Sequence, residues 1–121
     1  MEGIVMILAK FEIDVLSSYW KNYKANKHRM KQREHEYGNS GLDSSEDIFL
    51  QRISIITNAI ESIYKEVDED LKTIIDMRYW FKDGLASDWE VIADRLFISR
   101  NKVLKLHNWL IYKTAKRVGW A

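Results

Sequence analysis

An all-α fold is what this sequence predicts, and three observations carry the prediction. The 121 residues include no proline and only five glycines, so long helices meet few interruptions. Apolar residues recur three and four apart along most of the chain, the spacing that keeps one helix face buried. Only one stretch, Gly38 to Ser45, gathers Gly, Asn, Asp and Ser in the manner of a loop. Together they predict a long N-terminal helical hairpin over residues 1–67, a segment for dimerisation or partner binding. Residues 68–121 follow as a second helical unit containing a tight turn between two helices.

The first helix is expected from about Glu2 to Tyr37. Ile4, Leu8, Phe11, Val15 and then Ser18 or Tyr19 alternate by four and three, a seam for packing on another helix. Ile4 to Ile7 are consecutive apolar residues that a strand can also use, but no partner strand is in evidence. Past Trp20 come Lys21, Lys24, Lys27, Arg29, Lys31 and Arg33, with Tyr19, Trp20 and Tyr23 nearby. This is either a second phosphate-tracking surface with aromatic supports or a solvated helix end whose cations suit the C-terminal dipole. After the loop, Ser44 or Ser45 is expected to cap a second helix over Glu46 to Val67, with Asp47 in its first turn. There Phe49, Ile53, Ile56, Ile60, Ile63 and Val67 alternate without a break, and Leu50 and Ile55 widen the stripe. The helix can fold back on the first one or pair with its counterpart in another subunit. Asp68, Glu69 and Asp70 open the third helix as complements to its positive end. Adjacent helical residues point different ways, so these carboxylates do not converge on a metal or a substrate. Leu71, Ile74, Ile75, Arg78, Tyr79 and Phe81 continue the core.

Asp88 stands where an N-cap would stand for the next helix, with Val91, Ile92, Leu96 and Ile98 as its apolar stripe and Ala93 small enough for close helix approach. Ser99 caps the last helix, which buries Val103, Leu106, Leu110 and Ile111. Arg100, Asn101, Lys102, Lys105 and Asn108 lead its polar face with donors that suit phosphates and base edges.

Ile92-Ala93, Leu96 and Ile98, followed by Ser99-Arg100, Val103 and Leu106, resemble the helix-turn-helix of bacterial sigma-factor region 4. Leu71 to Trp80 looks like the helix that leads into it. A small protein with a helical segment ahead of this motif is similar to phage transcriptional regulators of the ArpU and RinA type. The resemblance covers about the last half of the chain and departs from the pattern at Phe97, where such motifs usually carry Gly. That departure predicts an altered turn or an earlier helix end. The resemblance implies a phage or prophage activator of transcription, with double-stranded DNA and RNA polymerase as partners.

Composition narrows the function classes. Hydrophobic content of 46% with 31% charged residues suits a folded chain. There is no cysteine, so disulfides and thiolate metal sites are excluded. No run approaches the roughly 20 apolar residues of a membrane helix. Gly3 to Ala9 has neither a basic leader nor a cleavage site, so a cytoplasmic protein without a membrane partner is expected. The net charge is +1, but it is unevenly spread: +2 over residues 1–37, −6 over 38–88 and +5 over 89–121. Such separation steers a polyanion to the C-terminal end. His28 and His35 sit two turns, about 10 Å, apart on a helix, too far for one metal. His107 reads as a DNA-backbone contact or a partly buried histidine. Trp89, Trp109 and Trp120 read as core pieces and lids over the C-terminal unit.

The expectation is therefore binding rather than turnover, with no cofactor and no metal. The helix starting at Ser99 enters the major groove by its N-terminal end. Arg100 meets a guanine or a phosphate, Asn101 reads adenine, Lys102 and Lys105 hold phosphates or guanine edges, and Asn108 lies one turn further on. The N-terminal helices set spacing as a homodimer or face the polymerase. The first rival expectation is a protein-interaction module that docks on polymerase or another regulator without reading DNA; the second is a small enzyme, for which the sequence offers no convergent polar set.

Overall fold

A computed structural model describes residues 8–41, 47–80 and 87–120. Among these residues the fold is all-α, with no strand: α1 (Lys10–Lys21), α2 (Tyr23–Ser40), α3 (Ile48–Glu66), α4 (Glu69–Arg78), α5 (Trp89–Leu96) and α6 (Arg100–Arg117). None of the described helices is long and apolar enough to cross a membrane.

The helix expected over residues 2–37 is two helices, broken at Asn22, and residues 2–7 lie outside the described residues. The break has a tertiary cause. A continuous helix would pair the Trp20 carbonyl with the Lys24 amide; instead it accepts from Trp80 Nε1–H at 2.8 Å. Asn22 takes φ −98° and ψ 10°, and its own carbonyl restarts the ladder by accepting from Asn26 N–H at 2.8 Å. The expected seam is also turned. Phe11 is 70% exposed and Val15 faces outward, whereas Leu16 and Trp20 are fully buried. Trp20, one of the aromatics that the first of the two readings of the cationic stretch would use as a support, is instead fully buried in the core.

α2 continues through Gly38 and Asn39, so the loop begins three residues later than expected, at Gly41. Gly41 has φ +73° and donates its N–H to the Tyr37 carbonyl at 3.1 Å, the left-handed stop that glycine adopts without a Cβ penalty. Ser44 and Ser45, the expected caps of α3, lie outside the described residues. Asp47 is the cap, its side chain accepting Leu50 N–H at 3.0 Å. Asp68 does the same for α4 through Leu71 N–H at 3.0 Å. α3 buries Ile53, Ile60, Ile63 and Val67 as its spacing predicts, but Ile55 points outward at 55% exposure.

α2 and α3 lie antiparallel. Tyr23 and Lys27 both reach Glu61, Met30 sulfur meets Ser54 and Thr57, and Arg33 and Tyr37 both bond Asp47. α1, in contrast, leaves this pair and packs on α6 and the inner half of α3. One continuous core joins Leu16 and Trp20 of α1 to Ile60 and Ile63 of α3, Ile74 and Ile75 of α4, Ile92 of α5 and Leu110 of α6. Residues from both sides of position 67 therefore share it. Trp20 Nε1–H donates to Thr114 Oγ1 at 2.9 Å, so the buried indole keeps a partner. Trp80 rests against Trp20, Tyr23 and Tyr64 with ring centroids 4.8–5.8 Å away.

Phe81 lies outside the described residues; the chain is described again from Ser87, whose N–H donates to the Met77 carbonyl at 3.0 Å. Arg78 clasps the entry to α5, donating to the Ser87 carbonyl at 2.9 Å and lying 4.3 Å over the Trp89 ring. Asp88 stands at the N-cap position, but its side chain accepts no backbone N–H, unlike the expectation. Ile92 and Ala93 are buried, while Val91, expected in the same stripe, is 51% exposed.

Candidate nucleic-acid interface

Three residues, Phe97 to Ser99, join α5 to α6. The joint is a Schellman stop: Ile98 N–H donates to the Ala93 carbonyl at 3.1 Å and Phe97 N–H to the Asp94 carbonyl at 3.3 Å. This geometry needs one left-handed residue, and here it is Phe97, at φ 58° and ψ 39°. The turn has not altered to suit phenylalanine; the phenylalanine has taken a backbone region that costs an L-residue about 1–2 kcal/mol. Its side chain is 94% exposed and recovers little contact.

Ser99 then opens α6 as expected, its Oγ accepting Lys102 N–H at 3.1 Å. Val103, Leu110 and Ile111 face the core. All six candidate residues, Ser99, Arg100, Asn101, Lys102, Lys105 and Asn108, are exposed. They do not share one face. At about 100° per residue, Asn101, Lys105 and Asn108 form one outward stripe, Lys102 stands about 60° to one side of Lys105, and Arg100 about 140° to the other. Ser99, Asn101, Lys102 and Lys105 line a groove whose floor is the α3–α4 corner at Val67 and Leu71. Asn108 instead borders Ile13, Ile111 and Tyr112.

The cations of α6 fall into two groups. Near the C-terminus, Arg117 makes a two-pronged pair with Glu66 at 2.8 and 3.1 Å, and Lys113 reaches the same carboxylate at 3.3 Å. Arg117 and then Lys113 hold the Glu66 carboxyl below its ordinary range. Near the N-terminus, no ion pair among the described residues engages Arg100, Lys102 or Lys105. Lys116 is also exposed without an ion pair among the described residues, its ammonium 5.7 Å from the Tyr112 ring centroid. The free cations nevertheless cluster at the start of the helix, where the backbone N–H groups add their own partial charge. The pairing partners of Glu66 lie 47 and 51 residues away, so nothing local in the sequence signals the clamp.

The histidine and the tryptophans separate as well. His107 is 5% exposed, in contact with the Tyr79 hydroxyl, with its ring centroid 4.6 Å from that of Trp89 and the two planes inclined at 59°. Burial, helped by the charge of Arg78, lowers its pKa to about 4. It is a neutral core residue and does not reach a DNA backbone. Trp109 and Trp120, expected as lids, are 48% and 40% exposed. Lys113 lies over the Trp109 ring at 4.9 Å. On the second cationic stretch the aromatic supports are consumed by packing: Trp20 is buried, and Tyr23 bonds Glu61 and stacks on Trp80. Lys27 and Arg33 are paired with Glu61 and Asp47. In comparisons with known proteins, no family model, no curated protein and no solved structure matches this chain.

Proposed function

We propose that the chain is a sequence-specific duplex DNA-binding regulator of transcription, acting through the N-terminal half of α6. The observation that carries this reading is the division of charge along that helix. Lys113 and Arg117 are tied to Glu66, whereas Arg100, Lys102 and Lys105 stand exposed without an ion-pair partner among the described residues. α5, joined by a three-residue turn, braces the helix from behind. The angular spacing divides the work. Asn101 and Lys105 on the outward stripe face base edges, and Arg100 and Lys102 on the flanks face phosphates. The resemblance to phage regulators makes the regulated process a phage or prophage one, with activation as its sense. Ile48 and Ile55, 62% and 55% exposed and seven residues apart on one face of α3, offer a surface for a homodimer.

The test is selection of bound sequences from a random duplex pool, followed by salt titration of the winners. Asn101→Ala relaxes preference at one position by about 1–3 kcal/mol. Arg100→Ala weakens all sequences evenly and lowers the salt slope by about 0.9. If Arg100→Ala, Asn101→Ala and Lys105→Ala all leave duplex affinity unchanged, the reading fails. A second reading, docking on RNA polymerase or another regulator without reading DNA, is favoured by the exposure of Phe97, Val91 and Trp109 on the same unit. A salt-independent response to duplex with retained polymerase binding selects it.

A further inference from the structure

The groove beside α6 has an apolar lining that DNA contact does not use. It encloses about 800 Å3, within the range of about 300–1,000 Å3 typical of small-molecule sites. Val67 and Leu71, 7% and 3% exposed, form its floor. Leu106 and Trp109 form an apolar wall, and Lys102 and Lys105 stand at one end. Seven helical residues separate Lys102 from Trp109, so the groove runs about 10 Å along α6, with the lysines toward its start and Leu106 and Trp109 over the remainder.

The polar groups at the rim are unequally occupied. Glu66 is held by Arg117 and Lys113, the Asp68 side chain accepts Leu71 N–H, and Ser99 Oγ accepts Lys102 N–H. Lys102 and Lys105 have no ion pair among the described residues. What remains for an occupant is apolar surface closed at one end by two ammonium groups. Charge complementarity then calls for an anion, and the apolar wall calls for a hydrocarbon body behind it. Trp109, half-exposed, is the side chain that such a body would cover.

We propose that this groove binds a small amphiphilic carboxylate about 10 Å long overall, its carboxylate on Lys102 and Lys105 and its aliphatic or aromatic body lying along Leu106 and Trp109. The consequence for regulation rests on the DNA reading above: the ligand takes two of the cations that duplex DNA would need, so the two bind in competition.

The probe is decanoate below its micelle concentration, titrated into the full chain by amide NMR and calorimetry, with decanol as the uncharged control. Saturable one-to-one binding is expected, with shifts confined to residues 66–71 and 99–109. Lys105→Ala weakens it about fivefold, the upper scale of one exposed ion pair, and Trp109→Ala about tenfold. Both residues are on the surface, so both variants keep the fold. No saturable binding overturns the proposal, as does decanol binding as tightly as decanoate. Self-association of the chain that protects these same residues while decanoate fails to bind overturns it in favour of a second copy as the occupant. Duplex affinity is measured alongside. Decanoate that binds and displaces duplex supports both readings. Decanoate that binds as predicted with duplex affinity untouched supports the groove and removes Lys102 and Lys105 from the DNA interface.

Discussion

The inner body of the molecule and the outer end of the α2–α3 pair are built by different means. In the body, Leu16, Trp20, Ile60, Ile74, Ile92 and Leu110 have no exposed surface, and five helices contribute to a single core. At the outer end the core is Met30, Leu50 and Ile53, each 7–8% exposed, with Tyr37 against them. Polar ties do the rest: Arg33 and Tyr37 both bond the Asp47 carboxylate at 2.8 Å, and Asp47 also caps α3. Two helices alone cannot enclose a large apolar volume, so their outer ends depend on directional contacts. Where a third and fourth helix arrive, burial takes over. The proposed DNA surface and its neighbouring groove sit on the body, and the surface offered for pairing sits toward the outer end.

The sharpest way to break this contrast is to cut each core in turn. Trp20→Ala removes the indole that fills the body and leaves Thr114 without its donor; it is expected to cost about 3–5 kcal/mol of global stability. Met30→Ala, at a rim where neighbours can collapse, is expected to cost about 2 kcal/mol and to be felt locally. Denaturant unfolding with hydrogen exchange distinguishes them. Equal loss of protection everywhere in both variants would show that the two regions unfold as one.

Acid is expected to act on the two regions in sequence. His107 is neutral in the folded body with a pKa of about 4, against 6.5 when free. Above pH 6.5 it has no effect; as pH falls from 6.5 to about 4 the unfolded chain gains a proton that the folded one refuses. The body is thereby destabilised by about 3 kcal/mol. His107→Gln should flatten that part of the pH–stability curve, and an unchanged curve would remove His107 as the cause.

A smaller effect of opposite sign is expected at the α5–α6 joint. Gly119, at φ +94° after α6, occupies the same kind of left-handed stop that Phe97 occupies after α5. Phe97→Gly should therefore stabilise the body by about 0.5–1 kcal/mol, relief of backbone strain being partly offset by glycine's freedom in the unfolded chain. Thermal unfolding reads the gain; a loss would mean that the aromatic ring has packing value in the isolated chain. If Phe97→Gly stabilises the fold and also weakens polymerase binding, the protein-docking reading gains its contact residue.

The smallest effect belongs to the outer end. The Arg33 guanidinium, the Leu50 N–H and the Tyr37 hydroxyl hold the Asp47 pKa at about 2, against an ordinary value of 3.8. Its stabilisation is complete above pH 3.8 and is lost as pH falls toward 2. Exchange of α2 and outer α3 amides should accelerate in that window, after the His107 step is over. Asp47→Asn should remove the dependence, and acceleration that persists in the variant would place its origin elsewhere.

How much of this was legible in the chain follows from the range of the interactions. The helix faces of α3, α4 and α6 are readable because Ile53, Ile60 and Ile63, or Val103, Leu110 and Ile111, repeat at helical spacing with polar residues opposite. Ser99 is readable as a cap because its partner lies three residues away. α1 offers two apolar stripes, Phe11 with Val15 and Leu16 with Trp20, and spacing alone does not choose between them. Thr114 and Trp80, 94 and 60 residues along from Trp20, make the choice. The same contact from Trp80 divides α1 from α2 at Asn22.

The candidate site divides in the same way. That Arg100, Asn101, Lys102 and Lys105 open an exposed helix is a local matter of capping and periodicity. That Lys113 and Arg117 are withdrawn from that face by Glu66, and that Val67 and Leu71 turn a helix flank into a groove, required the chain to fold back across about thirty to fifty residues. The sequence by itself determined which segments are helical and which residues have the chemistry to meet an anion. Only the tertiary structure decided which of two equally apolar stripes is buried and which cations stay free, because packing and ion pairing depend on distances in space that sequence spacing does not encode.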